Sequence, residues 1–134
     1  MIFYNVTVFL EDTDAGGIVY HSRYLNYMER CRTQSFYHNG INHAQLINSN
    51  TGHFVVKHIE IDFKKPAYLG EELVITIDVK DVRGASVLFH QTVVRNNEIL
   101  AEASVLLAFI DPKTSLASRM PEQLKSNILK FKLT

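Results

Sequence analysis

The stretch Glu11-Asp12-Thr13-Asp14-Ala15-Gly16-Gly17-Ile18-Val19-Tyr20-His21 sets a carboxylate and two glycines between a strand-like run and a helix-like run. A loop between two rigid elements can hold a reactive group still, which is how a small domain builds an acid/base or nucleophilic site. Ahead of it, residues 3–10 are aromatic and β-branched, the composition of a pleated, half-buried strand. Behind it, residues 22–38 place Tyr24, Leu25, Tyr27, Met28, Cys31, Ser35 and Phe36 at helical spacing, with Glu29, Arg30 and Arg32 on other faces. Asn39-Gly40 then stops the helix. The same residues also spell a tight turn, because glycine reaches positive φ and Asp bonds its own backbone. A calcium loop fits less well. Asp12, Asp14 and Gly17 stand at positions one, three and six of an EF-hand pattern, but position five is Gly16 and position twelve is Arg23 instead of the bidentate Glu.

Beyond Gly52 the period changes. Leu73, Ile75, Ile77 and Val79 alternate with Glu72, Thr76, Asp78 and Lys80, the signature of a half-buried strand. Arg83-Gly84 and Asn96-Asn97 mark turns, and Pro66, Gly70 and Pro112 fall in connections. Strands are therefore expected at 53–63, 71–82, 85–95 and 98–110, the last three as a meander. Residues 42–50 read as a loop with one helical turn near 44–47. After Pro121 a short helix over 122–130 ends in a tail expected to fray. The whole, 1–134, reads as a single α+β domain in which a five-stranded, mainly antiparallel sheet lies against one long helix. Val105, Leu107 and Phe109 on one face of the last strand, and Leu106, Ala108 and Ile110 on the other, call for cover on both sides. The expected cover is a second subunit.

A chain of 134 residues buries a core without disulfides. Its 14 Lys and Arg balance 14 Asp and Glu, so no basic field attracts nucleic acid or anionic membrane. The single Cys31 reads as a core thiol and fits a reducing compartment. The residues 1–5 carry no charged region followed by an apolar core, and no apolar run is long enough to span a bilayer, so a cytoplasmic location is expected. Besides His21, the histidines at 38, 43, 53, 58 and 90 show no metal-ligand spacing. His53 and His58, an odd number apart on a strand, are expected on opposite faces. No metal or cofactor is assigned.

The pattern from Glu11 to His21, followed by Tyr24-Leu25 and Met28-Glu29-Arg30, resembles the hotdog-fold acyl-CoA thioesterases of the 4-hydroxybenzoyl-CoA thioesterase type, most nearly the bacterial subgroup associated with the Tol-Pal envelope system. The likeness extends through Phe54-Val55-Val56, Pro66-Ala67 and Arg83-Gly84-Ala85-Ser86. The resemblance implies a curved antiparallel sheet wrapped around a central helix, homodimers joined sheet edge to sheet edge, homotetramers built from them, and active sites at the subunit interface. It places the catalytic carboxylate on Asp14 and an additional histidine on His21. It also places an oxyanion donor on the backbone N–H of His21, with Gly16 and Gly17 admitting the substrate and Tyr20 shaping the pocket.

Such chemistry needs a nucleophile or activated water, a site for oxyanion charge, and departure of a thiolate. Asp14 supplies the first by attacking the carbonyl or by drawing a proton from water; the residues do not separate the two routes. Ser22, a good N-cap, would start the helix slightly later. Glu29 is the rival carboxylate, because other hotdog enzymes carry theirs on the central helix. Lys57, among Val55, Ile59 and Ile61, and Arg83 with Ser86 at a hairpin turn, are the candidates for CoA phosphates. The expected activity is hydrolysis of acyl-CoA. The alternatives are an acyl-carrier-protein thioesterase of fatty-acid or polyketide metabolism and a low-activity acyl-thioester-binding envelope scaffold.

Overall fold

The alternation read in the sequence becomes one sheet in the computed structural model, which describes residues 2–133. The elements are β1 (Ile2–Thr7), α1 (His21–His38), α2 (His43–Asn48), β2 (His53–Phe63), β3 (Glu72–Val82), β4 (Ser86–Arg95), β5 (Glu98–Ile110) and α3 (Glu122–Leu129), with 3-10 turns at Leu10–Asp12 and Lys130–Leu133. The sheet runs β1-β3-β4-β5-β2, and every pairing is antiparallel. This five-stranded sheet over a long helix is the hotdog fold expected above.

One face of the sheet packs on α1. Leu73, Ile75, Ile77 and Val79 of β3, Val87, Phe89 and Val93 of β4, and Val105, Leu107 and Phe109 of β5 meet Tyr24, Tyr27, Met28, Cys31 and Phe36 of the helix. Each such side chain contributes about 1.5–3 kcal/mol of burial. One polar link threads this core: Arg32 donates to Gln91 Oε1 (2.9 Å), and Gln91 Nε2 donates to the Met28 carbonyl (3.0 Å). The buried guanidinium thus finds an acceptor in the amide, and the amide in turn finds one in the helix backbone.

Several expectations are corrected. The first strand ends at Thr7 instead of Leu10, because Asp12 Oδ2 accepts the Phe9 N–H (3.0 Å) and turns the chain. α1 begins at His21 with Tyr20 as N-cap, so Ser22 does not start it. β2 carries a bulge: Val56 pairs with Leu107 and His58 with Leu106, leaving Lys57 without a partner of its own. Lys57 therefore does not share a face with Val55 and Ile59 as simple alternation predicts. By the same slip His53, paired with Ile110, and His58, paired with Leu106, point to the same face instead of opposite ones.

The end of the chain is not a frayed tail at Phe131. That ring is 2% exposed, 5.6 Å from Phe36 and 6.0 Å from Phe89, while Leu124 and Ile128 of α3 join the same core. Removing it opens a cavity between helix and sheet. Phe131→Ala is expected to lower stability by about 3–5 kcal/mol in urea unfolding; a loss below about 1 kcal/mol, the size expected of a surface change, would mean that the ring is not part of the core.

Candidate active site

The segment between β1 and α1 folds into a closed loop. Thr13 and Val19 form an antiparallel bridge, Asp14 N–H donates to Ile18 O (2.9 Å), and Gly17 N–H donates to Asp14 O (3.1 Å). Gly17 sits at φ +76°, a left-handed conformation that favours glycine. A Cβ at Gly16 would stand 3.4 Å from Asp14 Oδ1, so glycine there keeps the space beside the carboxylate open.

Within the loop the Asp14 carboxylate is half committed. Oδ1 accepts the Gly16 N–H (2.9 Å) and, more weakly, the Ile18 N–H (3.4 Å). Oδ2 has no hydrogen bond among the described residues, and the side chain is exposed. One carboxylate oxygen thus builds the turn and the other faces solvent. Asp12, two residues earlier, is 6% exposed. It holds the 3-10 turn, lies 3.9 Å from Arg23 Nε, and stands near the Tyr27 hydroxyl without reaching hydrogen-bond geometry. Burial first, and that carboxylate next, hold the Tyr27 proton on well above the ordinary phenol range.

The loop ends at the start of α1. Tyr20 N–H donates to Asp12 O (2.9 Å) and Tyr20 O accepts the Arg23 N–H (2.8 Å), so the N–H groups of His21 and Ser22 head the helix with no carbonyl one turn back. The positive end of the helix dipole is open there, with no side-chain cap from Tyr20. The His21 ring lies 4.4 Å from that of Tyr20, tilted by 43°, and meets Phe63 edge-on at 6.3 Å. A groove of about 270 Å³ lies beneath it, lined by Ile18, Val19, His21, Tyr24, Phe63 and Lys64 among others. Pockets for drug-sized ligands run to roughly 300–1,000 Å³, so this groove lies at the small end of that range. The larger cavity, about 730 Å³, opens on the opposite face of the sheet around Phe3, Val74, Thr92 and Ile99 and includes no residue of the Asp14 loop.

Asp14, Gly16, Gly17, Tyr20 and His21 therefore share one loop, although Asp14 and His21 do not hydrogen-bond to each other among the described residues. Lys57, Arg83 and Ser86 lie elsewhere. Arg83 follows the far end of β3, whose 11 residues span about 35 Å at ~3.3 Å each. Its Nε is bound to Asp81 (2.9 Å), and its N–H donates to Ser86 O (2.9 Å). Ser86 and Val55 both pair with Ala108, so Lys57 and Ser86 occupy the same end of the sheet. Glu29, the rival acid, is exposed on α1 and accepts the Thr33 hydroxyl (2.9 Å). Alternation gave no sign of Phe63 and Lys64, which the fold brings to the groove from the end of β2.

With this geometry the class is that of hotdog thioesterase domains. The sequence profile of the thioesterase-like superfamily matches residues 8–128, and the chain belongs to that family. It is 37% identical over 121 residues to the acyl-CoA thioesterase YbgC of Haemophilus influenzae, covering 90% of this chain and 89% of that one. Among solved structures it resembles a probable thioesterase from Bartonella henselae (31% identity, TM-score 0.82, 89% of this chain and 98% of that one). A 1,4-dihydroxy-2-naphthoyl-CoA thioesterase from Synechocystis shares the fold at 19% identity (TM-score 0.90, 96% and 95% covered).

Cys31 stands apart from this site. It is fully buried on α1 with Sγ 3.7 Å from the Ile75 carbonyl, and burial pushes the thiol up to about 12. At neutral pH it is protonated and inert. A thiol-specific disulfide reagent is expected to label it only after unfolding; stoichiometric labelling of the native protein within minutes would show a reactive, accessible thiol.

Proposed function

We propose that this chain hydrolyses acyl-CoA thioesters to a carboxylic acid and free CoA, with Asp14 as nucleophile or general base and the His21 N–H as oxyanion donor. The observation that carries the reading is the Asp14 carboxylate itself. One oxygen is held by the loop and the other is free, on a segment that leads directly into the open N-terminus of α1. The name of the Haemophilus relative supports the substrate class.

In this reading the thioester lies over Gly16 and Gly17 with its carbonyl oxygen towards His21 N–H. One preorganised donor of that kind is worth roughly 10²–10³ in rate. Direct attack by Oδ2 forms a mixed anhydride and expels the CoA thiolate, after which water cleaves the anhydride. In the general-base route Asp14 takes a proton from water as that water attacks. Both need the ionised carboxylate. The His21 imidazole, between Tyr20 and Phe63, orients water or gives a proton to the thiolate.

A second copy completes the site. β2 is an edge strand of 11 residues with Val56 50% exposed and Phe63 49% exposed, an open template for strand pairing. Antiparallel β2–β2 pairing about a two-fold axis brings the other copy's His53 end beside this Phe63 end. Lys57, Ser86 and Arg83 of that copy then approach the Asp14 loop, where the CoA phosphates need cations. The outer sheet face, with Phe3 63% exposed, leaves room for a second dimer to stack into a tetramer.

Two measurements test this. Asn at 14 keeps an oxygen for the Gly16 and Ile18 bonds and removes the charge, so Asp14→Asn should retain fold and oligomeric state while kcat falls roughly 10²-fold or more; undiminished turnover refutes the assignment. Sedimentation of the wild type should show a dimer or larger species, whereas a fully active monomer contradicts the shared site.

A further inference from the structure

The Asp14 loop rests on a stretch of chain that has no regular structure of its own. Ile18 bridges Tyr68, Val19 N–H donates to Ala67 O (2.9 Å), Leu69 N–H donates to Gly17 O (2.9 Å), and Gly70 N–H donates to Val8 O (3.0 Å). The Tyr24 hydroxyl, from α1, accepts the Ala67 N–H (3.0 Å). Residues 64–71, the connection from β2 to β3, thus form the platform under both the carboxylate loop and the helix start. Connections of this kind are ordinarily the mobile part of a domain.

Besides Tyr24, one side chain joins the two ends of this one. Arg95, the last residue of β4, donates from Nη1 to Pro66 O (3.1 Å) and to Glu71 Oε1 (2.8 Å), and from Nη2 to Glu98 Oε1 (2.8 Å). Glu71 Oε1 also accepts the Tyr68 N–H (2.7 Å), and Lys65 Nζ binds Glu98 Oε2 (2.6 Å). Both ends of the connection, Pro66 and Glu71, therefore close on one planar guanidinium. Its side chain is 19% exposed, against 79% for Arg83 in the open pair with Asp81. The Arg95 pairs are accordingly screened less by water than a surface ion pair. A lysine ammonium is a single point of charge and cannot hold these acceptors in the same planar fork.

We propose that Arg95 is a positioning residue for the reaction, holding the platform that fixes Asp14 and the His21 N–H relative to each other. This rests on the reading of Asp14 and His21 as the reacting centre. The path runs from the guanidinium to Pro66 and Glu71, through Ala67, Tyr68 and Leu69 to Gly17, Ile18 and Val19. Ile18 in turn is the residue whose N–H reaches Asp14 Oδ1, at an already long 3.4 Å. Arg95 itself does not line the groove beneath His21, whereas Pro66, which it holds, does. Loosening that hold misaligns the reacting carbonyl against Asp14 and the His21 N–H, and so acts more on kcat than on KM, which it reaches only through Pro66 in the groove wall.

The test uses Arg95→Ala and, should that variant not fold, Arg95→Lys, read in the same way. Displacements near 1 Å at a reacting centre cost roughly 10²-fold, so kcat for acyl-CoA is expected to fall roughly 30-fold or more while KM stays within about threefold. Amide exchange of Val19 and Leu69 should quicken, while amides in the centre of β4 and β5 stay protected. A kcat within about threefold of wild type, a loss carried by KM, or unchanged exchange at Val19 and Leu69 each overturns the proposal. If the wild type turns over no acyl-CoA, the catalytic reading fails by itself. Exchange at these two amides then decides whether Arg95 holds the loop.

Discussion

Docking of the Asp14 loop onto the β2–β3 connection is the contact on which the rest of the molecule depends. The backbone bonds of Val19 to Ala67, Leu69 to Gly17, and Gly70 to Val8 tie the strand–loop–helix unit at the start of the chain to the hairpin ladder that follows. Each such bond adds only about 0.5–1.5 kcal/mol net, but a buried N–H left without its acceptor costs about 1–3 kcal/mol. Their combined effect is geometric. They set the head of α1 against the end of β2, which places His21 beside Phe63 and creates the groove there.

Much of this was legible in the sequence because its signals are local. Alternation over Leu73 to Val79 records which side of β3 meets the core, and the stripe Tyr24, Tyr27, Met28, Cys31 and Phe36 records the buried face of α1. What alternation does not carry is register. Nothing at Lys57, neither glycine nor proline, marks a bulge. The slip exists because Val56 and His58 pair with adjacent residues of β5, and it reverses which residues share a face. Phe131 was missed for a related reason: a short terminal helix has little signal of its own, and the rings that bury it come from α1 and β4.

The candidate site divides in the same way. Asp14, Gly16, Gly17, Tyr20 and His21 are contiguous, so their chemistry could be read from the string and from its likeness to a family. The resemblance singles out Asp14, and burial gives the physical difference: Asp12 is spent on the Phe9 N–H and the Tyr27 neighbourhood, while Asp14 keeps one oxygen in solvent. The residues that hold the loop still, Ala67 under Tyr24 and Pro66 under Arg95, lie 43 and 29 positions from their partners. No pattern within a window of sequence records such pairs. Lys57, Arg83 and Ser86, chosen in sequence for CoA phosphates, lie at the end of the sheet away from the loop, a separation that no local pattern records.

The central claim is that a thioester carbonyl is held by the N-terminus of α1 beside the free oxygen of Asp14. Its most direct test is a crystal structure of the protein with a non-cleavable acyl-CoA analogue whose carbonyl is retained and whose sulfur is replaced by methylene. The account predicts the carbonyl oxygen about 2.7–3.1 Å from the His21 backbone nitrogen, the geometry of an oxyanion donor, with Asp14 Oδ2 facing the carbonyl carbon or a water beside it. A carbonyl bound away from the helix N-terminus, with Asp14 facing no part of the acyl group, would contradict it.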